Sequence, residues 1–549
     1  MLYISQRAGV QKPVAGRFAS SVAISAVITP LILLSPLAFP NAARAAVTTT
    51  ADDETFETQE AAKNFGDMPL TDTDNLVNHD KTIDLIGDIN FGAGSDSLVN
   101  TGVITIGAKS TAPVSVTLQS LESLKNSGLI DLRNGHGGDL LTLSGDYSGA
   151  TNARLGLDIG PDGADKLVVG GVASGKTNIL LQGVSAQTAT LTGDKGPVLV
   201  QGGASSKEDA FSIENAEVGL IRYGLVFDAT ARTYRLKGVA GQRVYEALKI
   251  SEGASSTWRR SADAWSAHVT GLRDGDRATV GAGVWGEVHG QWMDRDDKNA
   301  SDSRRVHVGY RQTTQGGQAG VDLINAALDE SRIVIGVTGG YTDAQMRFSG
   351  IAAQDVKLSV VNLGGYLAFS RNGYFLNALA KADRQSIKVR GEAAVPDFDG
   401  KSFGAQLEVG NRGEEDGLAF EQLIGVNYVS TRLDDMAILS QRLDFDKASG
   451  FLAKAGVRGT SQRDVFGGAL IVQAAAFVAH DFTVKNELTL ISKGEKETLS
   501  HDGGHTFGQV IMGISFRSAG GAIVFLDGHG DYGGGREGGG VRVGARFGF

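Results

Sequence analysis

Apolar and polar residues alternate at period two through the last nine positions of the chain. Val541, Val543, Ala545, Phe547 and Phe549 fall on one face, and Arg542, Gly544, Arg546 and Gly548 on the other. Such alternation marks a strand with two unlike faces. One face is apolar, the other carries two arginines, and the chain stops on an aromatic. A strand with lipid on one side and a wet lumen on the other reads this way. The pattern runs back to about Arg277. Val280, Ala282, Val284, Val288 and Trp292 oppose Trp285, Glu287, His289 and Gln291. Phe403, Ala405, Leu407 and Val409 oppose Gly404, Gln406, Glu408 and Arg412. Phe451, Ala453, Ala455 and Val457 oppose Lys454 and Arg458, and Val510, Met512, Ile514 and Phe516 oppose Gln509 and Ser515. About a dozen segments of about thirteen residues fit here, and at roughly 45° tilt each spans an apolar band about 25 Å tall. Backbone groups in lipid all need partners, so residues 276–549 are expected to close into an antiparallel transmembrane barrel of about 12 strands.

The front half has a different rhythm. Asn100-Thr101-Gly102-Val103-Ile104-Thr105-Ile106 is repeated as Asn126-Ser127-Gly128-Leu129-Ile130-Asp131-Leu132, with a looser copy at Asn78 and Ile83-Asp84-Leu85. Spacings of about 22 to 26 residues belong to solenoid rungs, which bury their apolar faces only by stacking. Residues 46–240 are therefore expected to form a parallel β-helix. Between the halves, Trp258, Ala262, Trp265 and Val269 recur at helical spacing within a connector over 241–275. Thr257 reads as a cap for a helix starting at Trp258, and Ser251-Glu252-Gly253 as a break. A helix of about thirty residues reaches roughly 45 Å, enough to thread a barrel. At the N-terminus, Arg7, Lys12 and Arg17 precede an apolar run from Phe18 to Phe39 and the small-residue motif Ala43-Arg44-Ala45. That order is a secretory signal over 1–45, cleaved between Ala45 and Ala46.

Composition sharpens this. Among 549 residues there are 76 glycines but only 9 prolines, which suits many strands and tight turns rather than disorder. A net charge of −10 argues against nucleic acid as a partner. Zero cysteines exclude disulfides and thiolate metal sites.

Five motifs invite chemistry. Gly170-Gly171-Val172-Ala173-Ser174-Gly175-Lys176-Thr177 matches a phosphate-binding loop, but Asn178-Ile179-Leu180-Leu181-Gln182-Gly183 reads as a strand and turn, where that loop needs a helix. Gly281-Ala282-Gly283-Val284-Trp285-Gly286 matches a dinucleotide fingerprint, yet strand alternation runs through it. Glycine–aspartate turns at Gly92–Asp96, Gly135–Asp139 and Gly163–Asp165 are too far apart for consecutive calcium repeats and read as capped turns. Asp294–Asn299 begins like a calcium loop, but Lys298 occupies a ligand position. His79 and His136 are the only histidines available to a hydrolytic site before residue 240, and no nucleophile-elbow motif accompanies them. No catalytic residue, cofactor or metal is expected.

Signal, β-helix, helical connector and barrel together resemble the monomeric, type Va autotransporters. Leu141-Thr142-Leu143-Ser144-Gly145-Asp146-Tyr147, Asp165-Lys166-Leu167-Val168-Val169-Gly170 and Ser174-Gly175-Lys176-Thr177 resemble a pertactin-like passenger end, spanning about 140–240. Arg546-Phe547-Gly548-Phe549 resembles the family's terminal assembly signal, carried by Phe547 and Phe549. The resemblance implies an outer-membrane barrel that exports its own passenger to the cell surface, after transit by the Sec translocon, periplasmic chaperones and the barrel assembly machinery. It implies a connector inside the pore, with Glu287, His289, Glu408, Lys454, Arg458, Arg542 and Arg546 lining the lumen and Arg259, Arg260 and Asp263 pairing with some of them. The family's Asn-Asn cleavage junction is absent from the connector, so the passenger is expected to stay attached. Its expected role is binding, adhesion to host or cell-surface ligands, or structure. The alternatives are a surface hydrolase and a barrel acting chiefly as a pore.

Overall fold

The computed structural model describes residues 45–48, 54–56 and 75–548, apart from 161–162, 186, 214–215, 275–279, 297–307, 350–353, 392–395, 439 and 502–503. The signal segment 1–44, residues 297–299 of the Asp294–Asn299 loop and Phe549 lie outside the described residues. Ala45 and Ala46 belong to a short strand, Ala45–Thr48, paired in parallel with Asn75–His79.

The front half is a parallel β-solenoid of about four turns. Each turn supplies strands to three stacked faces because short strands separated by glycine turns bend the chain back over the previous turn. On one face Ile83, Ile104, Ile130, Leu155 and Ile179 lie in register. On another, Val116, Leu141, Leu167 and Val200 do the same. These columns are buried and form the core, so each turn depends on its neighbours. Register corrects one sequence reading. His79, not Asn78, sits opposite Asn100, which in turn sits opposite Asn126. The looser copy is thus offset by one residue, and the His79 ring takes the asparagine's place, with Nε2 3.1 Å from the Val103 carbonyl oxygen. Burial lowers the His79 pKa from its ordinary value. Asn100 donates to Asn126 at 2.8 Å, Asn126 to the Tyr147 hydroxyl at 3.2 Å, and that hydroxyl lies 2.7 Å from Thr177 Oγ1.

Thr177 closes the apparent phosphate loop, and its segment is a turn followed by the strand Ala173–Gln182, with no helix. The glycine–aspartate turns work between turns of the solenoid. Asp139 accepts the Val114 amide, while Asp165 accepts those of Gly138, Asp139 and Asp158. No metal-holding group of three carboxylates or histidines occurs among the described residues. An antiparallel hairpin, Ile221–Asp228 with Thr233–Ala240, ends the solenoid by pairing with Val198–Gln201.

The back half is a closed twelve-stranded antiparallel barrel, in which Gly283–Arg295 pairs with Arg536–Gly548 to complete the circle. Barrel strands run from 11 to 19 residues. Val280 and Ala282 precede the first strand; from Val284 onward the expected faces hold. Val288, Phe403, Met512 and Val541 are more than half exposed on the outer wall, an apolar band that suits lipid. No described helix is long and apolar enough to cross a membrane. The inner end has tight turns. Asn372-Gly373, Asp416-Gly417 and Phe466-Gly467 all have positive φ at both positions, the two-residue hairpin geometry that matches strand twist. Longer loops lie at the other, outer end.

One helix, Gln242–Arg273, joins the halves. It corrects two readings. It is continuous through Ser251 and Gly253, and its N-cap is Gly241 rather than Thr257, whose hydroxyl donates to the Gly253 carbonyl. Glycine stands at 253 because a Cβ there would meet Met346 Sδ at 2.2 Å. Close approach to the barrel wall, not a break, selects it.

Candidate functional site

The helix threads the lumen and is buried on nearly every side from Val244 to Gly271. Its outer third is gripped by apolar residues. Val244, Ala247, Leu248, Ile250 and Ala254 share one core with wall residues such as Met346, Leu358, Ile387 and Leu433. Below that collar the helix has two faces. Trp258, Ala262, Trp265 and Val269 pack on Trp285, Val334, Tyr366, Leu379 and Val429. Most polar tips on this side are paired, the indole nitrogen of Trp265 being an exception. Trp258 Nε1 donates to the Lys381 carbonyl at 3.1 Å, and Lys381 pairs with Asp383. His268 stacks on Trp285 and meets Asp322 at 2.9 Å, while the Tyr366 hydroxyl donates to the same carboxylate at 2.6 Å.

The opposite face is ionic. Arg259 does not pair with the expected lumen residues: it forks onto Asp481 at 2.6 and 3.1 Å and reaches Asn427 at 3.1 Å. Arg260 and Asp263 pair with each other at 3.2 Å, one helical turn apart. Asp263 still meets Arg542, but through its backbone carbonyl at 3.2 Å, and Arg542 pairs with Asp527 at 3.0 Å. Glu408 accepts Ser266 at 2.8 Å and Lys454 at 3.0 Å. Arg546 lies over the Phe525 ring and donates to the Ala267 carbonyl at 2.8 Å. Gly271 permits that approach, since a Cβ would stand 1.8 Å from the guanidinium. Glu287 and His289 are buried neighbours, 3.8 Å apart.

At the inner end, three arginines and two carboxylates gather. Glu421 accepts Arg273 at 3.0 Å, Arg412 at 3.0 Å and Arg458 at 3.3 Å. Asp274 accepts Arg412 at 2.8 Å and pairs with Arg458. Arg332 and Arg517 donate to the carbonyls of Leu272 and Asp274. Cations at the last carbonyls satisfy acceptors that a helix end leaves open. Arg273, Asp274, Glu421, Asp481 and Asp527 were not singled out in the sequence. For Glu421, Asp481 and Asp527, which lie on barrel strands, alternation with outward-facing neighbours was the available signal. Beside the ionic face a cavity of about 80 Å³ remains, lined by Arg260, Asp263, Ser266, Lys454, Gln473 and Asp527 among others. It has room for a handful of waters, but not for a second polypeptide element beside the helix.

Residues 284–529 match the family model of the autotransporter β-domain. The chain carries an autotransporter β-domain. "Probable autotransporter YfaL" of Escherichia coli (strain K12) is 29% identical over 112 residues, 20% of this chain and 8% of that protein. "Uncharacterized protein YuaQ" of the same organism is 35% identical over 89 residues, 16% of this chain and 6% of that protein. The chain thus spans less than a tenth of the length of these curated relatives. Among solved structures, the β-domain of the Bordetella autotransporter BrkA is 17% identical, covering 49% of this chain and 100% of that one with a TM-score of 0.39. The NalP translocator domain from Neisseria meningitidis is 13% identical, covering 55% and 99%, also with a TM-score of 0.39. The family match lies within the barrel and does not reach the helix or the solenoid.

Proposed function

We propose that the barrel exports the solenoid through its own lumen and then holds it on the cell surface, where the solenoid is a binding or structural module of the adhesin class. The observation that supports this is the single continuous helix. It starts directly after the last solenoid strand and ends, ion-paired, at the inner mouth. A chain that enters from the inner side and leaves its front half outside must run through the lumen in this way. On this reading the Sec translocon, periplasmic chaperones and barrel assembly machinery deliver the barrel to outer-membrane lipid. Phe547 lies half-exposed on the lipid face, where it is available to that machinery. The passenger stays attached, because the connector lacks an Asn-Asn junction and is held along its length.

Protease shaving of intact cells, with immunoblots against each half, tests the proposal. Loss of the solenoid with survival of the barrel is expected. A solenoid protected until the cells are lysed overturns export, and free solenoid in the culture supernatant overturns permanent attachment.

A further inference from the structure

The lipid-facing wall of the barrel carries a row of cations near its outer end. Arg384 stands opposite Lys401, and Lys401 opposite Arg432, on the neighbouring strands Tyr374–Arg390, Phe398–Glu415 and Leu418–Leu433. Lys447 adjoins the start of the next strand, Ala448–Val465, one position beyond the Thr431–Ala448 pair. All four side chains are exposed. With strands about 4.8 Å apart, the row is about 14 Å long. Other outward cations at this end have carboxylate partners. Arg311 pairs with Asp294 at 2.7 Å, Lys357 with Asp343 at 3.5 Å and Lys485 with Asp446 at 3.0 Å. In the row, Arg384 meets Asp399 at 3.2 Å, a surface pair worth little. Among the described residues no carboxylate pairs with Lys401, Arg432 or Lys447, although Asp399 and Asp434 lie one step further out.

Toward the middle of the wall the same face turns apolar. A shallow groove of about 670 Å³ is rimmed by the four cations and floored by Val361, Leu363, Ala382, Phe403 and Tyr428. Leu363 and Phe403 are 69% and 59% exposed, so no other part of the chain covers the floor. A charge on the lipid face is costly at the membrane midplane and nearly free at the interface, where aromatic residues gather. Phe403 and Tyr428 lie two and four positions along their strands from Lys401 and Arg432, which puts the row at headgroup level.

We propose that this face binds a phosphorylated glycolipid of the outer leaflet, with its phosphates on Lys401, Arg432 and Lys447 and its acyl chains in the groove. The proposal rests on the export reading above, which turns this end of the barrel outward. The charge favours phosphate: three uncompensated cations side by side attract an anionic head, as basic residues at a membrane surface do. Arg432 can take a phosphate with two parallel hydrogen bonds, and the lysines act as point charges. The length of the row favours a head with more than one phosphate, since one phosphate reaches only neighbouring cations. The apolar floor favours a lipid over a free ion, because an ion has nothing to place there.

The test titrates purified full-length protein in detergent with diphosphoryl lipid A and counts bound lipid by native mass spectrometry. The variant with Lys401→Gln, Arg432→Gln and Lys447→Gln is expected to bind about a hundredfold more weakly, roughly fivefold per cation. Unchanged affinity, in barrels that show normal heat-modifiable mobility, overturns the site. A second variant, Lys401→Arg with Lys447→Arg, keeps the charges and should bind as the parent does; a loss as large as that of the glutamine variant also overturns it. Fully dephosphorylated lipid A is expected to bind far more weakly, and inorganic phosphate to displace the lipid poorly. Equal binding of the dephosphorylated form would leave only acyl contacts, and ready displacement by inorganic phosphate would leave only an anion site; either result overturns the proposal. Binding to purified protein needs no export, so its failure is distinct from a failure of the export reading, which protease shaving decides.

Discussion

Replacing Glu421 with alanine removes the carboxylate that ties the helix end to the barrel wall. Glu421 is 1% exposed and accepts both Nε and Nη2 of Arg273, the last helical residue, at 3.2 and 3.0 Å. It also neutralises Arg412 and Arg458, so its loss leaves Arg458 with Asp274 and Arg412 with Asp274 and the exposed Glu414. Arg273 would keep only the Val269 carbonyl at 3.5 Å, Thr270 at 3.3 Å and the Phe375 ring. Removing one partner of a buried ion pair costs about 3–5 kcal/mol, because the other charge stays buried and uncompensated. Part of that cost is relieved when the helix end swings free. The detached population is then expected to rise by about two to three orders of magnitude. Planar-bilayer recording of purified protein is the assay: Glu421→Ala should show frequent openings where the parent is closed. Adding Arg273→Ala removes one uncompensated charge and should recover part of the thermal stability, though not the seal. Closed-state conductance and melting like those of the parent would refute the view that this cluster anchors the plug.

Three further outcomes are expected. Asn126→Leu removes the middle of a buried amide ladder and takes one hydrogen bond each from the Asn100 amide, which keeps the Leu129 carbonyl, from the Tyr147 hydroxyl, which keeps Thr177, and from the Gly128 amide. At about 0.5–1.5 kcal/mol per lost hydrogen bond, the solenoid should melt at lower temperature by calorimetry while the barrel keeps its heat-modifiable mobility. Asp165 is pushed from 3.8 up to about 7 by burial, with Asp139 and Asp158 adding to the rise. The folded solenoid therefore keeps a proton that the unfolded chain gives up, so this contribution is full below about pH 4 and is lost as pH climbs to about 7. Thermal scans from pH 4 to 8 should show that decline, and Asp165→Asn should flatten it. Deleting Phe549 should deplete the protein from outer-membrane fractions without lowering its synthesis, and normal insertion would contradict its role in assembly.

The barrel was the most legible part of the chain because each wall residue meets lipid or lumen, and that contrast writes itself as period two. Val288 and Glu287, or Leu407 and Glu408, could be assigned to faces without a structure. The repeated Asn-x-Gly units showed the solenoid for a similar reason: every turn solves the same packing problem. Other features depend on partners far away in sequence. Gly253 looks like a helix break until Met346 is seen against it. Thr257 looks like a cap until the chain before it is found to be buried helix inside an apolar collar. Arg259 could be placed in the lumen, but nothing local names Asp481, 222 positions later, as its partner. The four-stranded sheet of Met436–Ile438, Gln441–Phe445, Glu487–Ser492 and Glu495–Ser500 was missed because strands such as Met436–Ile438 are too short to show a period, and their apolar face is explained only by the solenoid residues packed against it.

The central claim is that one chain crosses the membrane with its solenoid outside and its tight barrel turns inside. Single cysteines at Lys125 in the solenoid and at the fully exposed Phe466 in a tight turn, each labelled with a membrane-impermeant maleimide on intact cells, test it most directly. The account predicts rapid labelling at 125 and labelling at 466 only after the outer membrane is permeabilised. Labelling at 466 on intact cells, with 125 protected, would contradict it.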